Sequence, residues 1–427
     1  MPYSITKVVT KALLLLVVFA CSSAAFSQSS INQQQVNQRV RQHISYLASD
    51  KLEGRLVGSK GEKKAAKYIA AWFKKNGLIP KGNHGYLQAF SVKKNLKNPH
   101  GNDDSPQAVT INGNNVVGYI DNQAPYTVVI GAHYDHLGYN EYGSSTYRPT
   151  DSTEKPQIHN GADDNASGTA ALIELSGLLA NSSFKQHNYL FIAFSGEEEG
   201  LLGSNYFTKH PTIDTAAMAY MINMDMVGRL DTVKQSFAIS GTGTSPLWET
   251  SLGQVNTPLK VKYEKGGTGA SDHTSFYYIN IPALHFFTGS HYDYHKPSDD
   301  DEKINYTGMV QIIDYIYQLC GLLNNSGKLA FTPTAQDTSE KISFKVTLGI
   351  MPDYLYDGKG VKIDGTTPGK PAAKANLMRG DVIIKLGETT VSDMQSYMKC
   401  LKMFKKGDTT NVIILRGGEE KQVEVTF

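Results

Sequence analysis

The chain has 427 residues, 40% of them hydrophobic and 19% charged, a balance that supports a sizeable core and two or more domains. Its 42 Lys and Arg against 40 Asp and Glu give a formal net charge of +2. Near-neutrality gives no case for nucleic acid or an acidic polymer as partner, and short basic runs such as Lys74-Lys75 and Lys405-Lys406 read as solvated faces.

The N-terminus reads as a leader. Lys7 and Lys11 precede the apolar run Ala12 to Ala20, and small residues follow, so residues 1–27 are expected to be a signal peptide. Cleavage around Ala25-Phe26-Ser27 and lipidation of Cys21 (a lipid anchor) in "VFAC" are both open. No later segment reaches about 18 uninterrupted apolar residues, so an exported protein without a membrane span is expected, periplasmic or secreted. Beyond Cys21 only Cys320 and Cys400 remain, far apart, and two buried free thiols are expected rather than a bridge.

Val36, Val40, Ile44 and Leu47 recur at helical spacing. The glycine-rich loop "LEGRLVGSKG" follows, then a helix over about 62–76 with Ala65, Ala66, Ile69, Trp72 and Phe73 on one face. Residues 93–114, rich in Asn, Gly, Asp and Pro, read as a surface loop. Short apolar strands at 116–120, 126–132, 189–194, 219–224, 236–240 and 282–287 then alternate with helical patterns near 167–181, 245–254 and 305–323. Continuous apolar strands between helices predict a largely parallel sheet covered on both faces, whose ligands gather at the carboxyl ends of the strands. A polar stretch, 325–341, reads as a linker. A β-rich second domain with one helical stretch near 392–404 fills 342–427, and 28–324 form the first domain.

Polar groups cluster where the strands end: His133 and Asp135 in "IGAHYDHLG", Asp163 and Asp164 in "NGADDNASG", Glu197 and Glu198 in "FSGEEEGLLGS", Asp225 after 219–224, and His295 in "HYDYHKPSDD". Any one of them reads as a loop residue or helix cap; five sites on one sheet edge do not. Imidazole and carboxylate donors without thiolate suit zinc in a hydrolytic site, and a carboxylate can bridge two ions. Asp135 is placed to hold the second ring nitrogen of His133. Of two adjacent glutamates, one can bind metal while the other takes a proton from water.

These motifs, with "NMDMVG" and "SDHTSF", resemble in order those of the M28 family of co-catalytic zinc aminopeptidases over about residues 45–320. The resemblance implies a three-layer α/β/α zinc-exopeptidase fold with a central, mostly parallel mixed sheet. It implies two zinc ions, one on His133 and Asp225, the other on Glu198 and His295. Asp163 would bridge them ahead of a cis peptide at 163–164, and Glu197 would be the general base. His136, His285 and His291 fall off the motifs and read as outer or surface groups. The implied activity is removal of N-terminal residues from peptides through a zinc-activated water. The alternatives are a glutaminyl cyclase-like single-zinc acyltransferase, which shares the scaffold, and an inactive peptide-binding protein.

Residues 342–427 resemble a PDZ domain. Leu348-Gly349-Ile350 stand at the carboxylate-binding loop, and "PAAKANLMRGDVIIKLGETTV" resembles a conserved bacterial PDZ segment. That implies a groove for the C-terminus of a peptide, with a ligand-free β-rich cap as the alternative.

Overall fold

Helix α1 (Gln33–Leu47) buries Val36, Val40, Ile44 and Leu47 along one face, as the spacing predicts. This computed structural model describes residues 31–96, 107–334 and 346–427, apart from positions 148, 150, 152, 354, 355, 357, 368 and 393. The expected leader 1–27 with Cys21, and the second part of the expected linker, lie outside the described residues. Helix α2 (Lys60–Lys75) starts at Ser59, whose hydroxyl accepts a hydrogen bond from Glu62 N at 3.1 Å. It buries Ala65, Ala66, Ile69 and Phe73.

After β1 (Ile79–Pro80), the structure corrects the loop expected at 93–114. Strands β2 (Leu87–Leu96) and β3 (Gln107–Ile120) pair antiparallel from Leu87↔Val116 to Leu96↔Gln107, and only 97–106 lie outside the described residues. The physical reason is period-2 burial. Ile111 packs with Phe90 and Val57, and Val109 joins them, while Thr110 and Asn112 face water. One buried face needs only alternate apolar residues, so a polar composition concealed a strand.

Strand β4 (Thr127–His133), helix α3 (Gly168–Ala180), strand β5 (Asn188–Phe194), helix α4 (Leu202–Lys209) and strand β6 (Met218–Met224) follow. Then come β7 (Ser236–Ser240), α5 (Leu247–Leu252), β8 (Lys260–Glu264), α6 (His273–Tyr277), β9 (Ala283–Phe287) and α7 (Tyr306–Leu322). The sheet order is β1-β3-β5-β4-β6-β9-β7-β8, with β2 on β3. Strands β5, β4, β6 and β9 run parallel, whereas β3 on β5 and β7 on β9 are antiparallel. The sheet is therefore mixed, with its parallel part at the centre. Every residue of β4, β5 and β6 is buried, which is why they read as unbroken apolar runs. Helices α1, α2, α3 and α7 pack together on one side; α4 and α6 pack on the other, where Phe207 and Phe276 meet Phe194 and Met221. Layers of helix, sheet and helix result.

His187, just before β5, is buried and donates from Nε2 to the Gly327 carbonyl at 3.0 Å. Burial pushes its pKa below the ordinary value, and the carbonyl offsets this only in part. The unfolded chain therefore takes up a proton near the ordinary histidine pKa of about 6.5, where the folded ring stays neutral, and stability falls as pH drops through and below that value. Metal-depleted His187→Gln protein should lose less melting temperature than the parent between about pH 6.5 and 5. Parallel melts across that range check this; equal slopes would remove His187 as the cause.

The C-terminal sheet is separate. Strands β10 (Ile350–Pro352) and β11 (Val361–Thr366), helix α8 (Pro371–Lys374), strands β12 (Val382–Leu386) and β13 (Thr389–Thr390), helix α9 (Met394–Leu401), and strands β14 (Thr409–Arg416) and β15 (Glu419–Thr426) give the order β10-β11-β12-β14-β15, with β13 on β12. Its own core includes Leu348, Ile363, Ile383, Leu386, Val412 and Ile414. Arg416 grips Asp381 with two hydrogen bonds of 2.7 Å. Leu348 and Gly349 are both buried there, and their carbonyls accept from Ala372 N at 2.9 Å and Thr367 N at 2.7 Å, so much of the expected peptide loop is engaged within its own domain. Gly349 has φ +72°, and its N–H is taken by Thr347 Oγ1 at 3.0 Å. Strand β10 pairs only with β11 among the described strands. Cys320 and Cys400 are free and buried, as expected. No described helix is long and apolar enough to cross a membrane.

Candidate metal centre

The carboxyl ends of the parallel strands deliver the polar groups to one place. His133 is the last residue of β4, Glu197 and Glu198 lie in the turn after β5, and Asp225 follows β6. Parallel strands present their ends on the same edge, so residues far apart in sequence become neighbours. His133 Nε2 lies 3.2 Å from Asp225 Oδ1 and 3.3 Å from Asp164 Oδ1. His295 Nε2 lies 3.2 Å from Asp164 Oδ2 and 3.0 Å from Glu198 Oε2.

The structure thus brings His133, Asp225, Glu198 and His295 together, but the carboxylate between them belongs to Asp164. Asp163, expected in that role, faces away. Its Oδ1 accepts from Gly228 N at 2.7 Å, and its Oδ2 lies 3.1 Å from His291 Nε2. The cis peptide likewise falls one residue later than expected, between Asp164 and Asn165. Asp299 fixes this choice: its Oδ2 accepts from both Asp163 N and Asp164 N, at 3.0 and 3.1 Å. Those bonds orient the backbone so that successive side chains point to opposite sides.

Asp135 also differs from expectation. Its carboxylate is 3.7 Å from His133 Nδ1, beyond hydrogen-bond reach, and that nitrogen is nearer the Asp135 carbonyl at 3.3 Å. The carboxylate instead accepts from Glu197 N at 3.2 Å and so anchors the glutamate turn. Ser271 donates to Asp225 Oδ2 and Asn223 Nδ2 to Ser271 Oγ, each at 2.7 Å, which gives the "SDHTSF" segment a role. Thr169 Oγ1 holds the His133 carbonyl at 2.7 Å.

Arg55 was not singled out by the sequence. It is 1% exposed, and its guanidinium donates to the carbonyls of Tyr134 (2.8 Å), Asn160 (2.6 Å), Gly161 (3.0 Å) and Leu47. It ties the turn after β4 to the loop that carries Asp164. Burial lowers its pKa to about 10, still charged at neutral pH.

The local field favours cations. Burial works against charge on His133, yet Asp225 and Glu197 outweigh it and hold its pKa well above the ordinary value. His295 is raised in the same way by Glu198 and Asp164. Burial and Asp164 oppose the Glu198 charge, but His295 and His136 prevail and hold it at about 2. Glu197 behaves differently. Burial pushes its carboxyl well above the usual range, and neighbouring Asp225 and Asp272 add to the effect.

Two donor sets result, His133 with Asp164 and Asp225, and Glu198 and a histidine with Asp164, and each could hold a metal ion. Zinc bound tetrahedrally at roughly 2.0–2.2 Å places its ligand atoms roughly 3.3–3.5 Å apart. The imidazole–carboxylate separations of 3.0–3.3 Å come close to that, and the donors are of the types zinc takes.

A three-layer fold whose strand ends carry paired imidazole–carboxylate sets around one shared aspartate defines a candidate metal centre. Residues 115–320 match peptidase family M28 and residues 342–427 match the PDZ domain, so the chain carries an M28 peptidase domain followed by a PDZ domain. It is 27% identical to aminopeptidase YwaD of Bacillus subtilis (strain 168) over 204 residues, which cover 45% of this chain and 40% of that protein. In fold it resembles LapB from Legionella pneumophila, with a TM-score of 0.50, 20% identity, and coverage of 69% and 74% of the two chains. Glutaminyl cyclase of Porphyromonas gingivalis gives the same TM-score at 14% identity, covering 67% and 97%. Among the curated relatives it matches, the chain spans about half of their length, from 40% to 65% of the first four.

Proposed function

We propose that this protein is an exported zinc aminopeptidase that uses two zinc ions to remove N-terminal residues from peptides. The observation that carries the reading is Asp164, with one oxygen on the His133–Asp225 set and the other on the Glu198–His295 set. His133, Asp164 and Asp225 would hold one ion; Asp164, Glu198 and His295 would hold the other. When bound, such ions polarise a carbonyl and lower the pKa of water. Glu197 lies in the same turn as Glu198, and His133, Asp225 and Asp272 are among the charges that act on it. Its raised proton affinity suits a group that takes a proton from water and returns it to the leaving amine. Asp135 keeps that turn in place through the Glu197 N–H.

A panel of aminoacyl chromogenic substrates and dipeptides, run with chelator and with restored zinc, tests the reading. Chelator-sensitive release of N-terminal residues, recovered with about two zincs per chain, is the expected result. Cyclisation of an N-terminal glutamine peptide with one zinc per chain would instead assign a glutaminyl cyclase. No turnover of either class by zinc-loaded protein would leave only a binding role.

We place the peptidase domain at 28–324, the linker at 325–341 and the PDZ domain at 342–427, with residues 1–27 as an export signal. The edge of β10, unpaired among the described strands, suits capture of a peptide C-terminus by strand addition beside Leu348, Gly349 and Ile350. Such tethering raises effective concentration without altering the chemical barrier. Protein lacking 342–427 should therefore keep its zinc and its kcat on a small aminoacyl substrate, while KM for longer peptides rises. Loss of small-substrate turnover from a soluble, zinc-loaded truncation would sink the tethering role.

A further inference from the structure

His136 is fully buried, and its Nδ1 lies 2.7 Å from Glu198 Oε1. Within the glutamate's own carboxylate, the other oxygen, Oε2, is the one that faces His295. The ring sits close against Gly161, which has φ +54°; a Cβ built there would lie 2.5 Å from His136 Cδ2 and 2.6 Å from Cγ. Any side chain at 161 would displace the imidazole, so the loop leaves room for it. Nε2 is buried with no hydrogen-bond partner, so the ring's one polar contact at hydrogen-bond distance among the described residues is the one to Glu198.

By proximity His136 could itself join a metal with Asp164 and Glu198. The distances decide against this. Ligand atoms of one tetrahedral zinc lie roughly 3.3–3.5 Å apart. His136 is nearer than that to Glu198, at an ordinary charge-assisted hydrogen-bond length. It is farther than that from Asp164 Oδ2, at 3.9 Å. His295, at 3.0 and 3.2 Å from the same two carboxylates, fits a shared ion better.

We infer that His136 is a positioning residue for the Glu198–His295 metal position: its Nδ1–H holds Glu198 Oε1, so that Oε2 alone is presented to the ion. The inference rests on the two-metal reading above. Outer partners of metal-binding carboxylates and imidazoles commonly alter metal affinity 10–100-fold, and here the effect should fall on one position of two. Among the described residues no hydrogen bond or ion pair joins His136 to His133 or Asp225.

The test is stepwise zinc binding to metal-depleted, full-length protein by calorimetry, with the cobalt(II) absorption spectrum as a second readout. His136→Leu should weaken one binding event by ~10–100-fold and leave the other largely unchanged. His136→Asn, whose amide N–H can occupy the place of Nδ1–H, should recover most of that affinity with an unaltered cobalt spectrum. Melting curves of the metal-free variants establish that both are folded. Two unchanged binding events in His136→Leu would overturn the inference, as would equal weakening of both events. Asn failing like Leu would also overturn it, and a cobalt band showing a lost nitrogen ligand in the Asn variant would make His136 a ligand instead. Parent protein that binds neither zinc nor cobalt would remove the two-metal reading itself, a result distinct from all of these.

Discussion

Glu197→Gln is expected to lose at least ~100-fold in turnover, the usual weight of a general base, and to keep its metal. The substitution is nearly isosteric and retains the backbone N–H that donates to Asp135, so the turn after β5 should hold its shape. What it removes is a carboxylate whose proton affinity is raised by burial and by neighbouring acids. Glu198→Gln should behave in the opposite sense. That residue lies within 3.0 Å of both His295 and His136, and its loss should release metal before it slows any proton transfer. Metal analysis beside single-substrate kinetics on both variants separates the roles. Should Glu197→Gln come out metal-free while Glu198→Gln stays loaded, the two assignments exchange.

Asp164→Ala should be the more damaging of the two aspartate substitutions, with both metal positions lost and turnover abolished. Each Asp164 oxygen lies within 3.3 Å of a different histidine, so one substitution takes a donor from both sets. Because ions bind the folded state, native protein gains roughly RT ln(1 + [L]/Kd), about 2.7 kcal/mol at a hundred-fold excess over Kd. The parent should therefore melt lower after chelation, whereas Asp164→Ala should melt alike with and without zinc. Asp163→Ala, which loses only the links to Gly228 and His291, should retain a zinc-dependent melting shift. Calorimetry with and without chelator checks all three. A zinc-dependent shift retained by Asp164→Ala but absent from Asp163→Ala would restore the bridging role to Asp163.

The sequence by itself determined the layers, the sheet edge and the donor types, because these depend on local periodicity and on the order of groups along the chain. Unbroken apolar runs marked β4, β5 and β6, and helical spacing marked α1 and α2. Placing polar residues directly after parallel strands was enough to predict that His133, Glu198 and Asp225 would meet. The alternation that makes β2 and β3 a long hairpin was also present, but Asn, Thr and Gly masked it until packing showed which face Ile111 covers. Only the tertiary structure could choose between Asp163 and Asp164. Adjacent residues of one type carry the same local signal, and their directions depend on Gly228, His291 and Asp299, 65 to 136 residues away. Arg55 and His136 were unreadable for the same reason: each acts through carbonyls or a carboxylate supplied by remote segments, which become partners only when the sheet brings its strand ends together.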